Sequence, residues 1–211
     1  GTLTQNKMTV VDHYGEDEAL LARAMAQCSD AVLDGETKQA KGEPTECALV
    51  NYAYKLGLNK TELDAADKRV AEAPFDSMRK MMSTVHATAE GVVQYTKGAP
   101  DEILKRCTRV RVGGKDVPLT DEKREEILSA NKGMADRALR VLAAAYKKPD
   151  TVPQNFEPED IEKDLTFVGL TGMIDPIRPE VKAAIAECKE EGIRPIMITG
   201  DHIDTAVAIA M

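Results

Sequence analysis

Apolar positions along the chain follow two periods, and the changes between them divide it into segments. Leu20, Leu21, Ala24, Met25 and Cys28 recur at three- and four-residue intervals, which predicts an amphipathic helix over 17–28. Residues 29–41 are polar, contain Gly35 and carry no period, so a mobile loop is expected there. Gly42-Glu43-Pro44 opens a second helix that runs to about Lys55 and stops at Gly57. Proline suits a first-turn position because the N–H it lacks would have no helical partner. The texture then turns to β-branched and apolar residues with short polar breaks. Residues 70–75, 80–88 and 91–96 read as adjacent antiparallel strands. A short helix is expected over 100–107, then a hairpin over 109–119 turning at Gly113-Gly114. Thr120 caps a charged helix over 121–139, and strands follow over 140–146 and 165–174. Beyond Asp175 come a helix over 179–191, a short apolar strand over 194–199 and the start of another helix from His202. That last stretch is half of a βαβ pattern, too few strands for a sheet of its own. Because the chain stops inside an apolar helix, truncation is expected.

Composition narrows the class. At 211 residues the chain can bury a sizeable core, and 43% hydrophobic with 30% charged residues is an ordinary soluble balance. The net charge of −8, without a basic block, argues against nucleic acid and anionic membrane surfaces as partners. The four cysteines are widely spaced, so free thiols in a reducing cytoplasm are expected rather than a zinc site or disulfide framework. The longest strongly apolar stretch, 165–174, falls well short of the about 20 residues a bilayer span requires. Gly1 begins without a basic start or an apolar run, so no signal peptide is read.

Candidate chemistry lies in short, scattered motifs. Neither a Gly-x-x-x-x-Gly-Lys-[Ser/Thr] loop nor a Gly-x-Gly-x-x-Gly run occurs, so a bound nucleotide would have to be held by side chains from a sheet. Phe75, followed by Arg79 and Lys80, offers a flat apolar face with cations near it; a core plug at a strand start is the alternative. Lys97-Gly98-Ala99-Pro100 ends a strand and opens a helix, leaving room for a ligand under a reaching lysine. Alone, it is equally a solvated lysine beside a turn. Glu46 sits in the first turns of its helix, where a carboxylate is electrostatically favoured whether or not it meets a ligand. Arg140 opens an apolar strand and is either a bidentate phosphate donor or an edge arginine paired with an acid. Thr199-Gly200-Asp201 follows an apolar strand and precedes a helix, a position suited to phosphate or to a plain N-cap.

Taken in order, the motifs resemble the P-type cation-transporting ATPases. Gly1-Thr2-Leu3-Thr4 is similar to the end of the family's phosphorylation motif, Asp-Lys-Thr-Gly-Thr-Leu-Thr, and Asp175-Pro176-Ile177-Arg178 to its returning hinge. Gly42-Glu43-Pro44-Thr45-Glu46, Phe75, Lys97-Gly98-Ala99-Pro100 and Arg140-Val141-Leu142 resemble the calcium-pump branch. The resemblance implies an α+β fold, an antiparallel sheet flanked by helices, plus an incomplete α/β phosphorylation-domain fragment. It implies three parts: 1–6 as the end of the phosphorylation-site strand and hinge, 7–174 as the nucleotide-binding domain, and 175–211 as hinge and partial phosphorylation domain.

The resemblance also implies ATP and Mg²⁺ as ligands, with most magnesium ligands outside this chain. Phe75 would stack on adenine and Glu46 would sit at its edge. Lys80 and Lys97 would line the pocket, Arg140 would contact the phosphates, and Thr199, Gly200 and Asp201 would act near the terminal phosphate. Ser77 stands where animal calcium pumps carry an arginine, a role left open for Arg79. The parent would be a translocase, with this chain a cytoplasmic domain of an integral membrane protein that does not itself enter the bilayer. Its partners would be the phosphorylation, actuator and transmembrane domains. Without the aspartate, the chain is expected to bind ATP and not turn it over. A haloacid-dehalogenase-like phosphatase and a regulatory interaction domain are the competing readings.

Overall fold

A computed structural model describes residues 2–198. The elements, in order, are β1 (Thr9–Tyr14), α1 (Glu18–Gln27), β2 (Val32–Leu33), β3 (Ala40–Lys41), α2 (Pro44–Lys55) and α3 (Lys60–Ala66). Next come β4 (Lys68–Asp76), β5 (Met81–Thr88), β6 (Gly91–Gly98), α4 (Pro100–Arg106), β7 (Cys107–Val112) and β8 (Lys115–Pro118). The series closes with α5 (Asp121–Ala135), β9 (Arg140–Lys147), α6 (Pro158–Ile161), β10 (Leu165–Ile174) and α7 (Pro179–Glu190). The sheet runs β4-β5-β6-β9-β10-β7-β8, with β1 also paired to β10. Every pairing in it is antiparallel except β10 with β7. The expected antiparallel sheet flanked by helices is therefore the observed fold.

Pleating sends alternate residues of each strand to opposite faces, and each face has its own helices. On one face α1 and α2 contribute Leu21, Met25 and Leu49, which pack with Met82, Tyr95, Tyr146 and Val168. On the other, α4 and α5 contribute Ile103 and Ile127, which pack with Met81, Ala145, Phe167 and Leu170. Strand β10 is buried along nearly its whole length because helices cover both of its faces, which explains a run of apolar residues without alternation.

Several expectations fail locally. Residues 29–41 form a β2–β3 hairpin rather than a mobile loop. Asp34 organises its turn: Oδ1 accepts from the backbone N–H groups of Glu36 and Thr37, and Oδ2 pairs with Lys41. Asn51 of α2 then accepts from the Ala40 N–H at 2.9 Å. Polar side chains satisfying a turn leave no hydrophobic period to read. Strand β1 and the short helix α3, capped by Asn59, were not anticipated. All four cysteines are free.

Past β10 the chain crosses its own beginning. Thr4 bridges to Ile177, the Gln5 N–H donates to the Pro176 carbonyl at 2.9 Å, and Arg178 N–H to the Leu3 carbonyl at 2.9 Å. Asp175 accepts from the Thr4 hydroxyl at 2.6 Å and from the Lys7 N–H at 3.1 Å. Helix α7 buries none of its residues. The strand expected over 194–199 is not formed in its described part, where residues 194–198 are all exposed and unpaired in any sheet. A lone extended segment has no ladder to join, and its backbone stays with solvent. Thr199, Gly200 and Asp201 lie outside the described residues.

Candidate functional site

The motif Gly42-Glu43-Pro44-Thr45-Glu46 is first a helix start. Glu43 is the N-cap of α2 and its carboxylate accepts from the Glu46 N–H at 3.0 Å, with Pro44 in the first turn. This places Thr45 and Glu46 side by side on the first turn, where backbone N–H groups favour negative charge. Glu46 uses both oxygens. Oε2 accepts from the N–H groups of Asp30 at 2.8 Å and Ala31 at 3.2 Å, pinning the chain just beyond α1. Oε1 takes the Lys97 ammonium at 2.5 Å.

Lys97 reaches this carboxylate from β6, and its Nζ also donates to the Ser29 hydroxyl at 2.8 Å. The side chains of Lys97 and Glu46 are 8% and 16% exposed, so the pair is shielded without being sealed. Thr45 accepts from the Arg140 guanidinium at 3.0 Å, which brings the exposed start of β9 to the same helix turn. The structure thus brings Glu46, Lys97 and Arg140 into one cluster.

The rest of the Lys97-Gly98-Ala99-Pro100 motif is explained by how closely two chains pass. A Cβ on Gly98 would lie 2.3 Å from the Lys80 carbonyl oxygen and 2.6 Å from the Met81 Cβ. Glycine lets the end of β6 slide under the β4–β5 turn, and the Ala99 N–H then latches that turn by donating to the Lys80 carbonyl at 3.0 Å. Pro100 starts α4 immediately afterwards.

Phe75 and Lys80 flank that turn. Cross-strand pairing sets Met82 opposite Lys97, Met81 opposite Gly98 and Asp76 opposite Met81, so Phe75, Lys80 and Lys97 share one end of the sheet. Phe75 is 63% exposed, not a core plug. Lys80 holds a left-handed backbone, with φ of 56°. Arg79, whose role the sequence left open, turns to another partner. It pairs with Glu162 at 2.7 Å and donates to the Pro74 carbonyl at 2.8 Å.

Sequence reasoning missed Ser29, Thr45 and Glu162, which hold the site together. The serine and threonine carried no signal beyond their motif neighbours; Glu162 lies between the strands read over 140–146 and 165–174, in no motif.

Comparison with known proteins decides the family. The sequence profile described as "P-type ATPase, cytoplasmic domain N" matches residues 18–180. The chain belongs to this family. Its relatives include "Calcium-transporting ATPase 1" of Bacillus cereus, 44% identical over all of this chain and 25% of that protein. A second is "Calcium-transporting ATPase 1" of Lactococcus lactis, 43% identical over all of this chain and 25% of its own length. "Sodium/potassium-transporting ATPase subunit alpha-2" of Gallus gallus is 32% identical over all of this chain and 24% of its own length. The chain thus spans about a quarter of the length of the curated relatives it matches. Among its described residues, no helix is long and apolar enough to cross a membrane.

Proposed function

We propose that this N domain holds ATP for a calcium-transporting P-type pump, binding it at the sheet end where Phe75, Lys80, Lys97, Glu46 and Arg140 lie. The supporting observation is the Lys97–Glu46 pair at 2.5 Å, shielded yet reachable, beside a strand end that leaves an aromatic ring in solvent. Stacking of adenine on Phe75 contributes about 1–3 kcal/mol, and needs no glycine-loop cradle. Lys97 supplies a cation at the base while its ammonium stays compensated by Glu46. Arg140 supplies a planar donor pair for phosphate oxygens at the cost of one hydrogen bond to the uncharged Thr45 hydroxyl.

In the whole pump the γ-phosphoryl group passes to an aspartate in the Asp-Lys-Thr motif, with Mg²⁺ neutralising the transferring phosphates. Cation transport, the actuator and transmembrane partners, and a cytoplasmic location for this domain belong to the same proposal. The bonds between residues 3–7 and 175–178 support a hinge through which the N domain joins a phosphorylation domain. Calcium is favoured over sodium and potassium because the calcium-transporting relatives are the more similar, 44% and 43% identical against 32%.

The 211 residues alone hold ATP weakly and do not turn it over, because the nucleophilic aspartate is not among them. ATP titration followed by amide shifts tests the pocket. Responses cluster on Phe75, Lys97 and Glu46, and Lys97→Met weakens binding at least tenfold. Methionine is the informative change, since a glutamate at position 97 would press a second carboxylate against Glu46. Normal ATP affinity in Lys97→Met would mean the pocket is misplaced.

A further inference from the structure

We propose that Arg79 and Glu162 are positioning residues that hold the Phe75–Lys80 turn in shape for the adenine ring, working from the opposite face of the sheet. The proposal rests on the reading of Phe75 as the adenine platform. It starts from a gap in the ladder. The β4–β5 register shifts between Ala73 and Asp76, so regular cross-strand pairing is interrupted at Pro74 and Phe75. Pro74 has no N–H to donate in any case. Beyond it the turn projects into water, with Met78 90% exposed and Phe75 63% exposed. Such a segment orders a stacking ring only if something fixes its backbone.

Besides the Ala99 latch, three contacts do so. Asp76 Oδ1 accepts from the N–H groups of Met78 at 2.7 Å and Arg79 at 3.0 Å. The Lys80 N–H donates to the Asp76 carbonyl at 2.6 Å, closing the turn. The third is the Arg79 guanidinium, which bridges two parts of the chain. Its Nη2 donates to the Pro74 carbonyl at 2.8 Å, next to Phe75, while its Nε donates to Glu162 Oε2 at 2.7 Å.

Glu162 is a firm anchor because it is itself held. The residue is 2% exposed, follows the α6 turn and caps it by donating its N–H to the Pro158 carbonyl at 2.8 Å. Its other oxygen accepts from the Ser83 hydroxyl at 2.8 Å, and Ser83 bonds Thr96 at 2.8 Å. Ser83 and Thr96 point to the face opposite Lys97, since Thr96 is its neighbour on a pleated strand. The connection between β9 and β10 thus reaches across to set the aromatic turn. The guanidinium spans the two acceptors from separate nitrogens fixed in one plane; a lysine has three donors, but all on one nitrogen at the end of a flexible stem.

The test uses the 211-residue chain and three variants, Phe75→Ala, Arg79→Lys and the double Arg79→Met/Glu162→Met, in ATP titrations followed by NMR. The lysine keeps a charge against Glu162 and loses the rigid span from there to the Pro74 carbonyl. The double variant leaves neither charge buried alone. Both are expected to bind ATP about tenfold more weakly and to show a smaller ATP-induced shift of the Phe75 ring at saturation, an effect within the range that base stacking supplies. A merely structural ion pair would lower thermal stability and leave affinity and ring shift unchanged. ATP affinity within twofold of the original in both variants, with Phe75→Ala clearly weakened, overturns the positioning role alone. Unchanged affinity in Phe75→Ala overturns the pocket itself, and the positioning role falls with it.

Discussion

Beneath strands β4–β6 the two faces of the sheet each bury an ion pair, and the pairs are built for different duties. On the α1/α2 face, Glu46 meets Lys97 and also two backbone N–H groups, on a helix turn that Arg140 can reach. On the opposite face, Glu162 meets Arg79 and Ser83 with its side chain 1% exposed. The first pair keeps an opening toward solvent, so a ligand can change its partners. The second seals its carboxylate, which has no water to fall back on, while the Arg79 side chain stays 16% exposed. Burial, rather than pairing, separates an adaptable charge from a structural one.

The largest expected effect probes the sealed face. Glu162→Ala leaves the Arg79 guanidinium largely buried without its anion, and should cost about 3–5 kcal/mol in urea unfolding. A loss below about 1 kcal/mol would erase the contrast between the faces. Next comes the strand end that serves both. Gly98→Ala puts a methyl group 2.3 Å from the Lys80 carbonyl oxygen, which is backbone and cannot swing aside. Overpacking of this kind costs about 1–3 kcal/mol, and the same melts should record it. An unchanged melt would show that the β4–β5 turn is free to move.

The smallest effect distinguishes the faces by pH. His86 lies beside the end of α3, 1% exposed, with ring nitrogens against the Thr84 hydroxyl at 2.9 Å and the Asp67 carbonyl at 3.2 Å. Burial holds its pKa below the ordinary 6.5. Protonation therefore favours the unfolded chain. The contribution is whole above about pH 6.5 and is lost as pH falls from there through the folded pKa. A chain carrying His86→Gln should lose less stability over that window than the original. Equal slopes would mean that folding leaves the His86 pKa where the unfolded chain has it.

Periodicity made α1, α2 and α5 legible, because each packs an apolar stripe, and strands β5, β6 and β9 showed as β-branched and apolar runs between polar breaks because both of their faces are buried. The amino-acid order also carried the family motifs and the start of α2, since a glutamate N-cap, a proline and a first-turn carboxylate act within a few residues of one another. It could not reveal that Phe75 is bare, that Arg79 turns to Glu162, or that residues 29–41 close as a hairpin on Asp34 and Asn51. Those facts join residues up to 83 positions apart, and only the folded sheet determines which side chain finds which. Local chemistry chose the elements; packing, by removing water from some charges and leaving it to others, assigned them their work.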